Sequence, residues 1–222
     1  MGYQFDFGAL ASYLTLFLKG AGVTLALTAI AATIGIALSI GGAATARWGL
    51  KWARALVAAY VELIRNTPFI VQLFFIFFGL PALGLKMTAL QAAILAMTIN
   101  LTAYAIEIVR AGIEAVPPGQ REAGFALGLK PVSVFVYVIL PQAIANVYPA
   151  LVSQIIITML ESAVVSQIAV TDLTHVADFI QSRTYRAFET YFVITLAYLG
   201  MAVGLRWLMT RAGRRLFAGR LR

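Results

Sequence analysis

One acidic residue stands inside a long uncharged run of this sequence. Glu161 is the single charged residue between positions 150 and 171, and it lies near the middle of that run. If the run crosses a bilayer, a carboxylate there is costly, and such residues usually face a cavity or a partner. We interpret Glu161 as a group that binds a cation. A buried ion pair, or a protonated carboxyl hydrogen-bonded to a neighbouring helix, is the structural alternative.

Three further polar residues could complete a binding site with Glu161. Asn100 and Tyr104 are four residues apart in an apolar run, so they share one face if that run is helical. Ser162 follows Glu161 directly and could donate a hydrogen bond. Asn100 could equally form an interhelical hydrogen bond, which is common in membrane helices. The candidate binding site therefore consists of Glu161, Asn100, Tyr104 and Ser162.

A polar stretch that separates two apolar runs has the residue types of a short docking helix. The Pro-Pro-Gly at 117–119 stops the preceding helix and turns the chain. Residues 120–127 favour a helix, and Gly128 can adopt the left-handed conformation that ends one. A helix of about two turns is marginal alone in water, so it needs a partner. Phe125 and Leu129, one turn apart, would present an apolar contact to that partner.

Several chemistries are excluded by residues that the sequence lacks. There are no cysteines, so thiol and disulfide chemistry is not available. The single histidine, His175, argues against a histidine-based metal site and against a catalytic cluster. No Gly-rich phosphate loop with its lysine is present, so we do not expect the chain to hydrolyse ATP itself. We predict no catalytic residues, no metal site and no bound cofactor, and therefore no enzyme.

The composition indicates an integral membrane protein. Of the 222 residues, 61% are hydrophobic and only 12% are charged, and the mean hydropathy is +0.88. A soluble domain of this length cannot bury so much apolar surface. The net charge of +8 does not indicate nucleic acid, because the cations lie between apolar runs and in the C-terminal tail. That distribution is typical of loops held on the cytoplasmic side of a membrane.

Five apolar runs, four of them uncharged and one with Glu161 as its single charge, approach or exceed the length of about 20 residues that a bilayer requires. We predict an all-α, single transmembrane domain over residues 1–222, with the N-terminus outside, the C-terminus in the cytoplasm and an external segment at 172–189. Residues 52–65 are predicted as an interfacial helix before the second span. Five spans do not divide into paired halves, so a complete pathway needs a second subunit. The predicted spans are 20–46, 66–85, 87–106, 150–171 and one that starts at 191.

The polar stretch resembles the EAA loop of bacterial ABC importer permeases. Two further segments, 62–81 and 103–124, resemble the polar amino acid subfamily of these permeases. The likeness extends from about Gly20 to Leu205. Generic loops do not reproduce glycine, leucine and proline at fixed offsets. The residues that carry the motif are Glu122, Ala123, Gly124 (where alanine is usual), Gly128, Leu140 and Pro141.

The resemblance implies a type I ABC importer permease of MetI-like architecture in the bacterial cytoplasmic (inner) membrane. Its short helix would be a coupling helix, within a cytoplasmic coupling loop at about 117–141. The implied partners are an ABC ATPase dimer that uses ATP, a second permease subunit of the same or a similar kind, an extracytoplasmic amino-acid-binding protein and membrane lipid. The implied ATPase-coupling residues are Gly119, Arg121, Glu122, Ala123, Gly124, Phe125, Gly128, Leu140 and Pro141.

The resemblance also implies a polar amino acid as substrate, whose α-amino group or basic side chain Glu161 would bind. The family often has a lysine and a serine or threonine here, whereas this sequence has Glu-Ser-Ala at 161–163. The family's specificity therefore does not transfer directly. Other functions stay open: an ATP-independent secondary amino acid transporter or channel, a membrane enzyme, or a structural anchor. A membrane enzyme would need clustered catalytic residues, which this sequence does not show. A structural anchor would leave Glu161 unexplained.

Overall fold

The computed structural model describes residues 4–218, and this part of the chain is helical and contains no strand. A 3₁₀ turn over Gly8–Tyr13 precedes the first long helix. Two helices are composite, because α3 and α6 each contain a π-helical turn, and α6 ends in a 3₁₀ segment. The helices are α1 Leu14–Trp48, α2 Lys51–Arg65, α3 Phe69–Ala82, α4 Ala89–Glu114, α5 Pro118–Ala126, α6 Pro131–Ile168, α7 Leu173–Thr184 and α8 Ala187–Leu216.

Within residues 4–218, α1, α4, α6 and α8 are each long and apolar enough to cross a membrane. The pair α2 and α3 is long and apolar enough only when taken together, and it is bent by 108°. The described chain therefore has four spans, or five if the bent pair is one span, which agrees with the prediction of about five. The bend falls at Asn66–Pro68, because a proline restricts the residue before it and Pro68 itself has extended backbone, with φ −62° and ψ 139°.

The centre of the bundle consists of α1, α4 and α6, and small residues let their backbones approach. A Cβ at Gly35 of α1 would lie 3.3 Å from the Leu101 side chain of α4. A Cβ at Gly112 of α4 would lie 2.6 Å from the Ala143 carbonyl oxygen of α6. Close backbone contact of this kind replaces the hydrophobic effect between helices in lipid. One face of α1 buries Gly20, Thr24, Leu27, Thr28, Ala31, Gly35, Ser39 and Ala43.

Each of the two π-helical turns lies directly before a Leu-Pro pair. Phe75–Gly79 precedes Leu80-Pro81 in α3, and Val134–Ile139 precedes Leu140-Pro141 in α6. Proline lacks an amide hydrogen, and its ring collides with the carbonyl four residues earlier in a regular α-helix. The wider π turn relieves that collision, so the helix continues through the proline.

The fourth span begins much earlier than the sequence predicts. Residues 150–171 are predicted as the span, but α6 is already helical at Pro131. Pro131 lies in the first turn, where no amide donor is needed, and Pro149 is accommodated inside the helix. Glu161 therefore lies in the second half of a helix that is longer than the bilayer is thick.

The helix α7 packs on α1 and α8 at the end of the bundle opposite α5. The fully buried Asp172 accepts a hydrogen bond from the His175 amide at 2.9 Å and so caps α7. The Tyr198 hydroxyl of α8 donates to the same carboxyl at 3.3 Å. Burial raises the pKa of Asp172 from 3.8 to about 6, and hydrogen bonds from the His175 and Thr174 amides and from Tyr198 partly oppose this rise.

The end of the bundle that carries α5 is rich in cations, and we call it the basic end. The Tyr148 hydroxyl of α6 donates to the Met209 carbonyl at 2.7 Å, which places the last turns of α8 at this end. The helices α1 and α4 also end there, and α2 starts there. The cations of the basic end include Arg47, Lys51, Arg121, Lys130, Arg211, Arg214 and Arg215.

The Gly112 contact gives a stability prediction. Gly112→Ala should force α4 away from α6, because the new Cβ would lie 2.6 Å from a backbone oxygen. We expect a loss of about 1–3 kcal/mol, the usual cost of overpacking, seen as a lower unfolding midpoint of the detergent-solubilised protein. Gly200→Ala on α8 is the control, since a Cβ there meets nothing within 4 Å. Equal midpoints for the two variants would contradict the prediction.

The buried Asp172 gives a prediction about pH. Its pKa is about 6 in the folded protein against an ordinary value of 3.8, so the cost of ionising it is absent below about pH 4 and complete above about pH 6. Asp172→Asn keeps a capping side chain and removes that cost. The unfolding midpoint of the variant should therefore rise relative to wild type as the pH rises through this window. Asp178→Asn on the same helix is the control, and a pH-independent difference for Asp172→Asn would refute the assignment.

Candidate functional site

The short helix predicted within the polar stretch is confirmed as α5, Pro118–Ala126. It ends in a Schellman motif, in which the Gly128 amide donates to the Phe125 carbonyl at 2.9 Å and the Leu129 amide to the Gly124 carbonyl at 3.2 Å. Gly128 has φ +76°, so the predicted left-handed residue is also confirmed. This conformation strains any residue with a Cβ. The glycine thus fixes where α5 stops and α6 begins.

Nearly all of α5 is presented to the surroundings. Gly124 is its one buried residue, and a Cβ there would lie 3.0 Å from the Val134 side chain in the π turn of α6. The missing side chain therefore lets α5 sit directly on that turn. Phe125 is 45% exposed, and Glu122 makes no hydrogen bond or ion pair within residues 4–218. The other residues of α5 that belong to the predicted coupling set, and that are also exposed, are Gly119, Arg121 and Ala123.

Leu140 and Pro141 lie in α6 rather than on the exposed helix. Both are half-buried, directly after the π turn on which α5 packs. The side-chain amide nitrogen of Gln142 donates to the Val138 carbonyl at 2.8 Å, and it also approaches the Gln120 side-chain oxygen at 3.5 Å. The structure therefore gives Leu140 and Pro141 a place in the support of α5.

A groove runs beside α5 at the basic end. Its volume is about 510 Å³, and it lies between α5, the end of α1 and the first turns of α6. Phe125 and Arg121 form one wall, and Trp48 and Phe135 contact each other edge-on across 5.5 Å between ring centroids. An exposed helix beside an apolar groove is suited to a protein contact.

Asn100 belongs to a buried hydrogen-bond network at the bend between α2 and α3. Its Nδ2 donates to the Gln72 side-chain oxygen at 3.0 Å. The Gln72 amide nitrogen in turn donates to the Ile64 carbonyl at 2.8 Å and to the Thr67 carbonyl at 3.0 Å. The Asn100 oxygen is buried without a partner in the described part of the chain. The Asn100 nitrogen is therefore engaged with Gln72, and the Asn100 side-chain oxygen is still available to accept a hydrogen bond.

Tyr104 lies one turn from Asn100 toward the basic end, where it lines a separate polar chamber. The Arg65 guanidinium stacks over the Tyr104 ring, 5.4 Å from its centroid. Glu107 is bound by Arg110 on the same helix, with a shortest distance of 2.7 Å, and lies 4.0 Å from Arg65. Arg110 also pairs with Glu114 at 2.8 Å. Charged residues therefore surround Tyr104.

Glu161 is half-buried and lies on a different helix from Asn100 and Tyr104. Its carboxylate makes no hydrogen bond or ion pair within residues 4–218. Its neighbour Ser162 is fully buried, and the Ser162 hydroxyl donates to the Met159 carbonyl at 2.7 Å. The exposed residues that share a helical face with Glu161 are Asn146, Ala150, Ser153 and Ile157.

The four predicted site residues are spread along the bundle. Because Gly112 faces Ala143 and the helices α4 and α6 run antiparallel, Glu161 is level with about residue 94 of α4, between one and two turns from Asn100. Tyr104 lies on the other side of Asn100. Gln72 and Arg65, which contact Asn100 and Tyr104, were not predicted as site residues. A lone glutamine in the apolar run 68–82 was the available signal, since polar residues inside spans bind neighbouring helices.

No metal site accompanies these residues. Within residues 4–218, no group of three or more histidine, cysteine, aspartate or glutamate side chains could hold a metal ion. The polar residues described above offer hydrogen bonds and charge pairs along a helical bundle, and an exposed helix lies at one end of it.

Comparisons with known proteins agree with this architecture. A family model described as "Binding-protein-dependent transport system inner membrane component" matches residues 34–218. The chain is 32% identical over 215 residues to the glutamine transport system permease protein GlnP of Escherichia coli (strain K12), covering 96% of this chain and 98% of that one. It is 33% identical over 216 residues to the arginine transport system permease protein ArtQ of Bacillus subtilis (strain 168), covering 95% and 97%.

A solved structure has the same fold. It is described as a crystal structure of an amino acid ABC transporter with histidines, and it superimposes with a TM-score of 0.86 and 42% identity, covering 96% of this chain and 100% of that chain. The methionine transporter MetNI in an inward-facing conformation matches with a TM-score of 0.74 and 24% identity, which shows the fold alone. The chain therefore belongs to the family of binding-protein-dependent transport system inner membrane components.

Proposed function

We propose that this chain is the permease subunit of an ATP-binding-cassette importer that carries a polar amino acid across the bacterial cytoplasmic membrane. A separate ATPase dimer hydrolyses the ATP, a second permease subunit completes the pathway, and an extracytoplasmic binding protein delivers the substrate. The chain itself binds no cofactor. Family membership supports this proposal over an ATP-independent transporter. The named substrates of the two relatives, glutamine and arginine, support the substrate class.

The basic end is the cytoplasmic end in this proposal. Cations cluster where α1, α4 and α8 end and where α5 lies. Positively charged loops are retained on the cytoplasmic side during insertion. The N-terminus and α7 are then outside, where α7 and the residues up to Glu189 would offer the surface for a binding protein.

The single observation that supports the energy-coupling role is the structure of the exposed helix α5. It is a capped helix that exposes Phe125 and Glu122, rests on α6 through Gly124 and lies beside an apolar groove. A short exposed helix gains its stability from a partner. Contact with an ATPase on α5 would move α6, because the two helices touch at Val134. Rigid-body motion of that kind can open one side of a membrane pathway and close the other.

Glu161 is the proposed cation-binding group of the pathway. The face of α6 that carries it also carries Asn146, Ala150 and Ser153, all exposed in this single chain. A polar face with a carboxylate is unfavourable against lipid, so it is better suited to the pathway or the second permease subunit. Asn100 lies between one and two turns away along the bundle, and its oxygen, which has no partner within residues 4–218, could accept a hydrogen bond from the same substrate.

The coupling role is tested by removing the exposed phenyl ring of α5. Phe125→Ala should abolish co-purification of the partner ATPase without lowering the unfolding midpoint of the chain, because the ring is 45% exposed. Phe192→Ala is the matched control at the other end of the bundle, where the ring is 47% exposed. Retention of the ATPase by Phe125→Ala, or its equal loss in both variants, would overturn the assignment.

The substrate role is tested at Glu161. Glu161→Gln keeps the shape of the side chain and removes its charge. We expect uptake of the transported amino acid into proteoliposomes to fall about tenfold or more, the effect of losing one charge-assisted bond. The assembled complex should still form. Glu161→Asp, which keeps the carboxylate, is the matched control. Uptake at the wild-type rate by Glu161→Gln would exclude Glu161 from the pathway.

A further inference from the structure

A polar chamber of about 890 Å³ opens between α2 and α4, on the basic-end side of the bend. Its walls come from one face of α2, from the part of α4 that carries Tyr104, and from Ala46 of α1. Four cations and two carboxylates line it, which leaves an excess of two positive charges. The charged lining residues are Lys51, Arg54, Arg65 and Arg110, with Glu62 and Glu107.

Within residues 4–218, three of the four cations of the chamber, Lys51, Arg54 and Arg65, have no hydrogen-bond acceptor. The fourth, Arg110, donates to both Glu107 oxygens, at 3.1 and 2.7 Å, and to Glu114 at 2.8 Å. Arg65 reaches Glu107 only at 4.0 Å, and its side chain is 44% exposed. Its guanidinium lies over the Tyr104 ring, 5.4 Å from the ring centroid, so the ring holds the cation while its N–H donors make no hydrogen bond.

The position of Arg65 along the bundle indicates which surroundings its guanidinium requires. Arg65 is the last residue of α2, directly before the bend that Gln72 ties to Asn100 in the centre of α4. A guanidinium that makes no hydrogen bond at that depth is unfavourable against lipid, and such residues usually face water or a partner. The chamber is therefore better suited to a water-filled pathway than to acyl chains.

We infer that Arg65, stacked on Tyr104, is a carboxylate subsite on the cytoplasmic side of the pathway. It takes the α-carboxylate of the amino acid after the substrate has left the region of Glu161. This inference rests on the proposed function. A guanidinium binds a carboxylate through two parallel hydrogen bonds, and stacking on an aromatic ring holds it in one plane. Arg54 and Lys51 continue the positive lining toward the basic end, so the anion meets cations along its way out.

The test uses the absence of cysteine from the chain. Ala58→Cys places a unique thiol on an exposed wall of the chamber, in the complex with its ATPase. Two methanethiosulfonate reagents, one carrying a sulfonate and one a trimethylammonium group, react with the same thiolate. The ratio of their rates reports the local potential and cancels the reactivity of the thiol itself. Ser182→Cys on α7 gives the reference ratio outside the chamber.

We expect the anionic reagent to be favoured in the chamber by about threefold or more over the reference, and Arg65→Gln to remove most of that preference. Acetate should slow labelling at Ala58→Cys, whereas acetamide at matched ionic strength should not. Arg65→Lys should keep the preference for the anion but lose most of the acetate protection, because a lysine cannot form the paired bonds.

Two results would overturn the inference. One is an equal rate ratio at the two cysteines, and the other is equal protection by acetate and acetamide. Both are read in the Ala58→Cys chain with Arg65 in place, so misfolding of an Arg65 variant does not obscure them. Amino acid uptake by the same complex separates this inference from the proposed function. Uptake without an anion preference refutes the carboxylate subsite alone, and an anion preference without uptake of any amino acid refutes the proposed substrate class.

Discussion

The side-chain amide of Gln72 joins the two halves of a broken span, and the positions of the polar residues around it depend on that amide. A helix that stops inside a membrane leaves carbonyls that lipid cannot satisfy. Gln72 donates to the Ile64 and Thr67 carbonyls and accepts from Asn100. These bonds satisfy the end of α2, fix the bend of 108° and tie it to the centre of α4. Without them Arg65 would have no defined place beside Tyr104.

The same requirement for satisfied backbone explains how α5 is supported. Pro141 could have ended α6, but the π turn before it lets the helix continue. Because α5 packs on that turn through Gly124, the exposed helix touches the helix whose second half carries Glu161. Pro149 lies between these two points and removes one hydrogen bond of the helix. In the proposed function, a displacement of α5 would be transmitted toward Glu161 through this helix.

Sequence reasoning succeeded where a local residue type determines a local conformation. The short helix α5 could be predicted from Pro118 and Gly128, and Gly128 is also part of the family motif. The long apolar runs were sufficient to predict about five spans. It failed where the outcome depends on distant partners. Pro141 suggests a break, and only the π turn explains its tolerance. Arg65 has Glu62 three residues before it, yet it lies near Glu107 of another helix, because α2 bends back against α4. Spacing along one helix carries no information on that crossing.

The spread of the predicted site residues has a mechanistic consequence. A single tight site that held the substrate at Glu161, Asn100 and Tyr104 together would oppose release, since transport requires each bond to be exchanged for another of similar strength. Glu161 is between one and two turns from Asn100 along the bundle, and Tyr104 lies a further turn toward the basic end. The Ser162 hydroxyl is buried and donates its hydrogen to the Met159 carbonyl. In the proposed function, the carboxylate of Glu161 and the guanidinium of Arg65 would bind the two charges of an amino acid one after the other rather than at once. The bundle would then offer a series of weak polar positions, and the proposed ATPase contact on α5 would determine which of them is open.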